Sequence, residues 1–263
     1  MSDIRPPAGA DAKVPSPARV YDYLLGGKDN YEIDRVVGDR LLSVAPDTRL
    51  VARANRAFLR RVVEYVSGQG VRQFIDLGTG IPTSPNVHEI ARKTNPDAKV
   101  VYVDNDPLVK VHNDALLATD PGVITLEADI RDPGNVLGSP EVQELIDFTQ
   151  PVAVLMITVL HFVGDEHDPK GLIRTYHDRM APGSFLAISH TSSLSDPEAI
   201  KQLAMATAGT PAQSTFRSPE EIAEMFAGFE ILEPGVTRIQ EWRPDMDYPD
   251  TKLNVQAALG LKG

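Results

Sequence analysis

The chain has no cysteine among its 263 residues. That absence excludes disulfides, a thiol nucleophile and cysteine-ligated metal sites, and it fits a reducing, cytoplasmic setting. Positive charge is short as well: 26 Lys and Arg stand against 37 Asp and Glu, a formal net charge of -11 with a pI near 5.0. This balance disfavours a general nucleic-acid or anionic-membrane binder. Long apolar runs are missing. The longest, Val152 to Val163, contains His161 and is too short to span a bilayer, so no membrane association is expected. The N-terminus shows no positively charged, apolar secretion signal.

What remains is ample for a core. Hydrophobic residues make up 42% of the chain, enough for one large α/β domain or one domain with an appendage. Residues 1–15, rich in Pro, Ala, Asp and Gly, are expected to be disordered. Residues 16–70 read as three helices. Ser16-Pro17 opens the first, with Val20, Tyr23 and Leu24 on its apolar side, and Gly26-Gly27 stops it. Asn30 or Asp29 is expected to cap the second, which runs to about Ala45 with Ile33, Val36, Val37, Leu41 and Leu42 facing inward. The third covers about 48–67, with Leu50, Phe58 and Val62 on its apolar face. This all-helical prelude is expected to form a lid over the domain that follows.

Residues 71–263 alternate strand and helix. Strands are expected over 73–77, 99–103, 123–127, 152–158, 185–190, 229–233 and 254–259. Helices are expected over about 85–94, 107–119, 141–149, 169–180, 197–207 and 219–226, four of them opening on a proline after a Ser or Asp cap. Repeated βα units imply a parallel sheet with helices on both faces and ligands at the C-terminal strand ends. The last two strands read as a hairpin, which would put one reversed strand in the sheet.

The stretch from Phe74 to Thr83, FIDLGTGIPT, is the most informative. A buried strand ends in an acid, and Gly78 and Gly80 then let the backbone bend and leave bare amides for a ligand. Ser84-Pro85 reads as the N-cap and first residue of the next helix. The site suits a nucleotide-like cofactor. Asp76 would repel a pyrophosphate and attract an ammonium group. No Lys or Arg lies between Phe74 and Arg92, and Thr83 stands where the dinucleotide pattern has its third glycine. The second strand ends at Asp104-Asn105-Asp106, where an acid can accept two ribose hydroxyls; that role suits NAD and S-adenosylmethionine (SAM) equally. The third ends at Asp129-Ile130, placed for an adenine amine and ring nitrogen. An acid after each of three successive strands matches the amino group, ribose and adenine of SAM in order.

These features resemble the Rossmann-like class I SAM-dependent methyltransferases, together with Met180-Ala181-Pro182-Gly183-Ser184 before the fifth strand. The stretch ARVYDYLLGGKDN from Ala18 to Asn30 narrows the match, as do Ala54-Asn55-Arg56-Ala57-Phe58-Leu59, Val159-Leu160-His161-Phe162 and Trp242-Arg243-Pro244-Asp245. Nearly everything after Ser16 resembles the actinobacterial S-adenosyl methyltransferase family long catalogued as a domain of unknown function. The resemblance implies a seven-stranded, mostly parallel sheet with a reversed last strand. It implies that Asp76, Gly78, Thr79 and Gly80 hold the methionine part of SAM. Asp104 and Asn105 would hold its ribose, and Asp129 and Ile130 its adenine. Ile81-Pro82 departs from the wider superfamily, where a third glycine is common.

Methyl transfer needs positioning, exclusion of water and sometimes a base. His161, after the fourth strand, and His190, ending the fifth, are candidate bases, though the structural reading is the favoured one for each. Phe162 could pack on the cofactor. Tyr21 and Asn30 could orient ligands from the helical prelude, or simply pack. Arg49, Arg53, Arg56 and Arg60 form a stripe that is either a solvated face or, through Arg56 with Asn55, a contact to the cofactor carboxylate. No metal site is expected, because the adjacent Asp165-Glu166-His167-Asp168 reads as a loop and helix start. The expected function is SAM-dependent methylation of a small-molecule acceptor. A nicotinamide-dependent oxidoreductase and a non-enzymatic SAM-binding protein are the alternatives. Neither the acceptor nor the oligomeric state is named by any motif.

Overall fold

The computed structural model describes residues 11–117, 120–211 and 213–263. The first ten residues of the expected disordered tail, and the last two of the helix expected to end at Thr119, lie outside the described residues. The strands are β1 (Gln73–Leu77), β2 (Lys99–Asp104), β3 (Val123–Glu127), β4 (Ala153–Ile157), β5 (Phe185–Thr191), β6 (Phe229–Ile231), β7 (Thr237–Arg238) and β8 (Val255–Lys262). They form one sheet in the order β3-β2-β1-β4-β5-β8-β6, with β7 also paired to β8. Strands β1 to β5 run parallel. The reversed strand β8 is antiparallel to β5 and to the edge strand β6. The seven-strand path is as expected; the two-residue β7 is an addition that the loop after Pro234 concealed. Every residue of β1 and β4 is buried, which is why their sequences read as unbroken apolar runs interrupted only by Asp76 and Gln73.

Proline-initiated helices follow the strands: α6 (Pro133–Gly138), α7 (Pro140–Leu145), α8 (Pro169–Arg179), α9 (Pro197–Thr207) and α10 (Pro219–Glu224). In each, the preceding Asp or Ser accepts a hydrogen bond from an amide of the first turn, a cap of about 1 kcal/mol. The helix after β1 departs from expectation. α4 spans only Val87–Ala91, and its cap is Asn86, not Ser84. Glu89 accepts from the Asn86 amide, so an acid of the same turn already satisfies this helix start.

Residues before the sheet form α1 (Pro17–Leu25), α2 (Glu32–Val44) and α3 (Thr48–Gly68). Phe58, Val62, Val63 and Val66 of α3 are fully buried and share one apolar cluster with Phe74, Val100, Leu155 and Trp242 of the α/β part. Buried Arg61 donates to the Trp242 and Ile239 carbonyls at 3.0 and 2.6 Å and to the Tyr248 hydroxyl at 2.7 Å. Both Arg60 and Arg61 pair with Asp245. The Trp242-to-Asp245 stretch is therefore a clamp between α3 and the C-terminal segment. Val36 and Leu50, expected inside, are 58% and 41% exposed, because each lies one position off the buried stripe of its helix.

The ARVYDYLLGGKDN stretch folds on two buried ionic groups. Arg19 donates to Asp34 at 2.8 Å and to Asp106 at 3.4 Å, tying α1 to α2 and to the β2 end. Asp22 accepts from the Asp29 amide at 3.0 Å and the Asn30 side chain at 2.7 Å. A Cβ on Gly27 would meet Asp22 Oδ1 at 1.9 Å, so the loop closes only around glycine. Neither Asn30 nor Asp29 caps α2. Tyr31 occupies the N-cap, and Asp34 accepts its amide at 2.8 Å.

Candidate functional site

A cavity of about 660 Å³ opens over the C-terminal ends of the parallel strands, within the range of about 300–1,000 Å³ typical of small-molecule sites. The loop after β1 supplies Asp76, Gly78, Thr79 and Gly80 to its wall; β2 supplies Asp104 and Asn105, and the loop after β3 supplies Asp129 and Ile130. Arg56, Tyr21, His161 and Phe162 also line it. Tertiary structure thus gathers eleven fore-named side chains and glycines that span more than a hundred positions, together with Ile130.

Asp76 and Asp104 define the electrostatics. Asp76 is buried and accepts from the Thr79 hydroxyl at 3.0 Å. Asp104 is buried and accepts from the Gly80 and Asp106 amides at 2.9 and 3.0 Å. Neither is in an ion pair with any described residue. Burial pushes both carboxyls up to about 6, with mutual repulsion adding to the effect on Asp76. Gly78 (φ +70) packs where a Cβ would meet Val159 Cγ2 at 2.3 Å, and Gly80 (φ +67) faces open space. Two buried acids without an ion-pair partner among the described residues, Asp76 only partly offset by the Arg56 charge, lie beside bare amides and suit a group carrying positive charge and hydroxyls. They fit the ammonium and ribose of SAM and oppose a pyrophosphate.

Asp129 differs. Its carboxylate accepts Arg131 Nε at 2.9 Å and the Arg131 amide at 2.9 Å, and that pairing holds it below the usual carboxylate range. Arg131, also in the cavity wall, was not singled out in the sequence; its spacing of two from an acid is too common to signal a site. Arg56 donates to the Thr83 and Pro85 carbonyls and so braces the loop after β1 from α3. Of the other stripe arginines, Arg49 meets the Tyr23 and Leu24 carbonyls at the end of α1 and Arg60 pairs with Glu64, while Arg53 is exposed to solvent.

Two fore-named residues lie outside the cavity wall. Asn30 is held by Asp22 and contacts Arg35, a loop-fixing role. His190 is buried below the surface of the site. Arg217 Nη1 lies 2.8 Å from its Nε2, and a guanidinium can only donate, so Nε2 is the acceptor and Nδ1 donates to the Thr191 carbonyl at 2.8 Å. Both nitrogens are engaged, and burial pushes the ring down to about 4. Arg217, itself buried, also reaches the Val163 carbonyl and Asp165; nothing local in the sequence marked it.

His161 does line the cavity. Its Nδ1 is enclosed without a hydrogen-bond partner, and its ring lies 4.0 Å from Phe162 and 5.8 Å from His190, centroid to centroid. Burial, then His190 and Arg217, drives its proton affinity well below the ordinary histidine range, so the ring is neutral. Tyr21 donates to the Ala52 carbonyl at 3.0 Å and faces Asn55 Nδ2 at 3.1 Å; burial raises its pKa, so the phenol keeps its proton. Buried Asn55 also donates to Thr158 Oγ1 at 3.0 Å and accepts from Ser189 at 2.7 Å. Thr158 sits at φ +50, a conformation rare for a β-branched residue, at the end of β4. This Tyr21–Asn55–Thr158–Ser189 network joins α1, α3, β4 and β5. The sequence singled out Tyr21 and Asn55 but not Thr158 or Ser189.

The S-adenosyl methyltransferase family matches residues 4–262. The chain belongs to that family. Its cofactor is S-adenosylmethionine, which agrees with the Asp76 and Asp104 pair. The chain is similar to a crystallised methyltransferase candidate from Thermobifida fusca YX, with 40% identity, TM-score 0.92 and coverage of 98% and 99% of the two chains. It is similar to a DUF574 family protein from Streptomyces avermitilis, at 38% identity, TM-score 0.91 and coverage of 96% and 99%. The fold extends to the 1,6-didemethyltoxoflavin-N1-methyltransferase of Burkholderia thailandensis, whose structure holds S-adenosylhomocysteine, at 16% identity and TM-score 0.51, with 96% and 93% covered. No curated protein matches the chain. Among the described residues no helix is long and apolar enough to cross a membrane, and no group of three or more His, Asp and Glu could hold a metal ion.

Proposed function

We propose that the protein is a methyltransferase that acts on a small-molecule acceptor in this cleft. The observation that carries the reading is the pair of buried carboxylates Asp76 and Asp104, neither held in an ion pair by a described residue, beside Gly78 and Gly80. Asp76 would take the ammonium, Asp104 with Asn105 the ribose, and Ile130 with Asp129, shared with Arg131, the adenine. Bound there, SAM supplies an electrophilic methyl group. The chain's own residues then position the acceptor, exclude water and accept a hydrogen bond. Residues of α1 and α3 line the cavity, and α1 would act as a lid over it. His161, neutral and in the wall, is the group placed to accept a proton from the acceptor. Its weak basicity assigns most of the rate to positioning. Tyr21 orients rather than ionises, and His190 holds Arg217 in place.

Calorimetric titration with SAM and S-adenosylhomocysteine tests the cofactor half. Binding at micromolar concentrations is expected, and none at high micromolar would overturn the reading. Formation of S-adenosylhomocysteine from SAM on adding a metabolite extract tests turnover. A protein that binds both nucleosides yet turns over none would be a sensor.

A further inference from the structure

The strand order divides the cavity. Charged side chains gather over β1, β2 and β3: Asp76, Asp104, Asp129, Arg131 and Arg56, which braces the loop after β1. Glu166 sits beyond Gly164, next to His167, which is close enough to act on Asp129. Over β4, β5 and the start of β8 the wall changes character. There α1, α3 and α9 contribute Leu24, Val51, Ala52 and Leu203, and the described lining includes no Asp, Glu, Lys or Arg.

Hydroxyls line this half beside the Asn55, Gln213 and Asn254 amides and the His161 ring, and the protons of four of them are committed. Tyr21 donates to the Ala52 carbonyl at 3.0 Å, Thr191 to the Thr215 carbonyl at 3.1 Å, Ser195 to the Asn254 carbonyl at 3.3 Å and Thr207 to the Leu203 carbonyl at 2.9 Å. A carbonyl can only accept, so these directions are fixed. Because the Tyr21 proton goes to Ala52, Asn55 must turn its amide nitrogen to the phenol, and both its protons are then used on Tyr21 and Thr158. Each of these hydroxyls therefore has only lone pairs left to offer a ligand.

We infer that this half-chamber is the acceptor site, and that it selects uncharged, largely apolar molecules bearing hydroxyl or N–H donors, the class of neutral phenols, alcohols and heteroaromatic amines. The inference rests on the reading of the β1–β3 half as the SAM site. A carboxylate or phosphate would find the lone pairs of these hydroxyls and no cation free to pair with it, since Arg56, whose charge reaches Tyr21, is held by the Thr83 and Pro85 carbonyls. A neutral donor meets complementary acceptors on an apolar wall.

The test uses the intact protein saturated with S-adenosylhomocysteine and two probes of one frame, naphthol and naphthoate, compared by calorimetry. Naphthol is expected to bind at least about tenfold more tightly than naphthoate. The variant Leu203→Lys, which sets a cation in the chamber wall, is expected to narrow or reverse that ratio while S-adenosylhomocysteine affinity stays the same. The wild-type comparison stands whether or not the variant folds. Equal or tighter binding of naphthoate, or binding of neither probe, overturns the inference. Failure of S-adenosylhomocysteine itself to bind would instead overturn the cofactor reading.

Discussion

Replacing Asp76 by Asn should stabilise the ligand-free protein and weaken the cofactor site together. The Asp76 carboxyl is buried, has the Thr79 hydroxyl as its hydrogen-bond partner, and is pushed up to about 6. A rise of roughly two units above the ordinary carboxyl value corresponds to about 3 kcal/mol of penalty for keeping it ionised in the fold. An amide carries its own burial cost, so about half that sum, roughly 1–2 kcal/mol, should be recovered. For a chain of this size that is a rise in Tm of roughly 2–6 °C at neutral pH. The sign follows from the direction of the shift. A carboxyl whose folded-state pKa is raised stabilises the fold below its unfolded value near 4 and loses that contribution as pH rises through about 6. The Tm gap between variant and wild type should therefore be absent near pH 4 and open above about pH 6. S-adenosylhomocysteine affinity should fall about 10- to 100-fold, the worth of a charge-assisted contact of roughly 1.5–3 kcal/mol. Binding of adenosine, which lacks the amino acid part, should be unchanged. Thermal unfolding across pH and calorimetry supply both readouts. A lower Tm at neutral pH, or S-adenosylhomocysteine affinity within about twofold of wild type, would refute the reasoning.

In the wild type, cofactor affinity should fall as pH drops through about 6, approaching tenfold per pH unit for each of Asp76 and Asp104, checked by calorimetry at several pH values. A flat profile between about pH 5 and 8 would contradict the role given to these buried carboxylates. Asn55→Ala should cost about 2–4 kcal/mol in denaturant unfolding, because it strips partners from Tyr21, Thr158 and buried Ser189 at once. Arg61→Ala should cost a similar 2–4 kcal/mol or so and should speed proteolysis within residues 239–248, where it leaves two buried carbonyls and Asp245 released. Gly78→Ala should lower both Tm and S-adenosylhomocysteine affinity, since its Cβ would collide with Val159 and its φ of +70 is strained for alanine.

Strand positions were legible because β1, β2 and β4 are buried on both faces and read as apolar runs between Gly and Pro punctuation. The helix starts at Asp168-Pro169, Asp196-Pro197 and Ser218-Pro219 were equally plain, since cap and first residue are adjacent in sequence, whereas the start of α6 at Asp132-Pro133 was not read as one. The misjudged start at Ser84-Pro85 shows where that local rule ends: Asn86 and Glu89 form the cap, and no rule of adjacency ranks two overlapping candidates. The three strand-end acids were legible because the βα repeat places them on one edge of the sheet. Yet sequence gave Asp129 the same standing as Asp76, and only the folded chain shows Arg131 holding it. Arg19, Arg61 and Arg217, the buried cations that fasten the structure, were silent because each acidic partner lies 15 or more positions away.

Composition, periodicity and the order of the acids determined the doubly wound sheet, the cofactor class and the sheet edge proposed for it, because those properties are set by local pattern and by topology that local pattern implies. Which side chains reach the cavity was decided by tertiary structure alone. His161 and His190 each end a strand-and-loop segment and looked alike in sequence. Only packing puts one in the cavity wall and the other beneath it against Arg217. Burial, hydrogen-bond direction and charge balance at a site depend on what distant segments bring to the same few ångströms, and no local stretch of sequence contains that information.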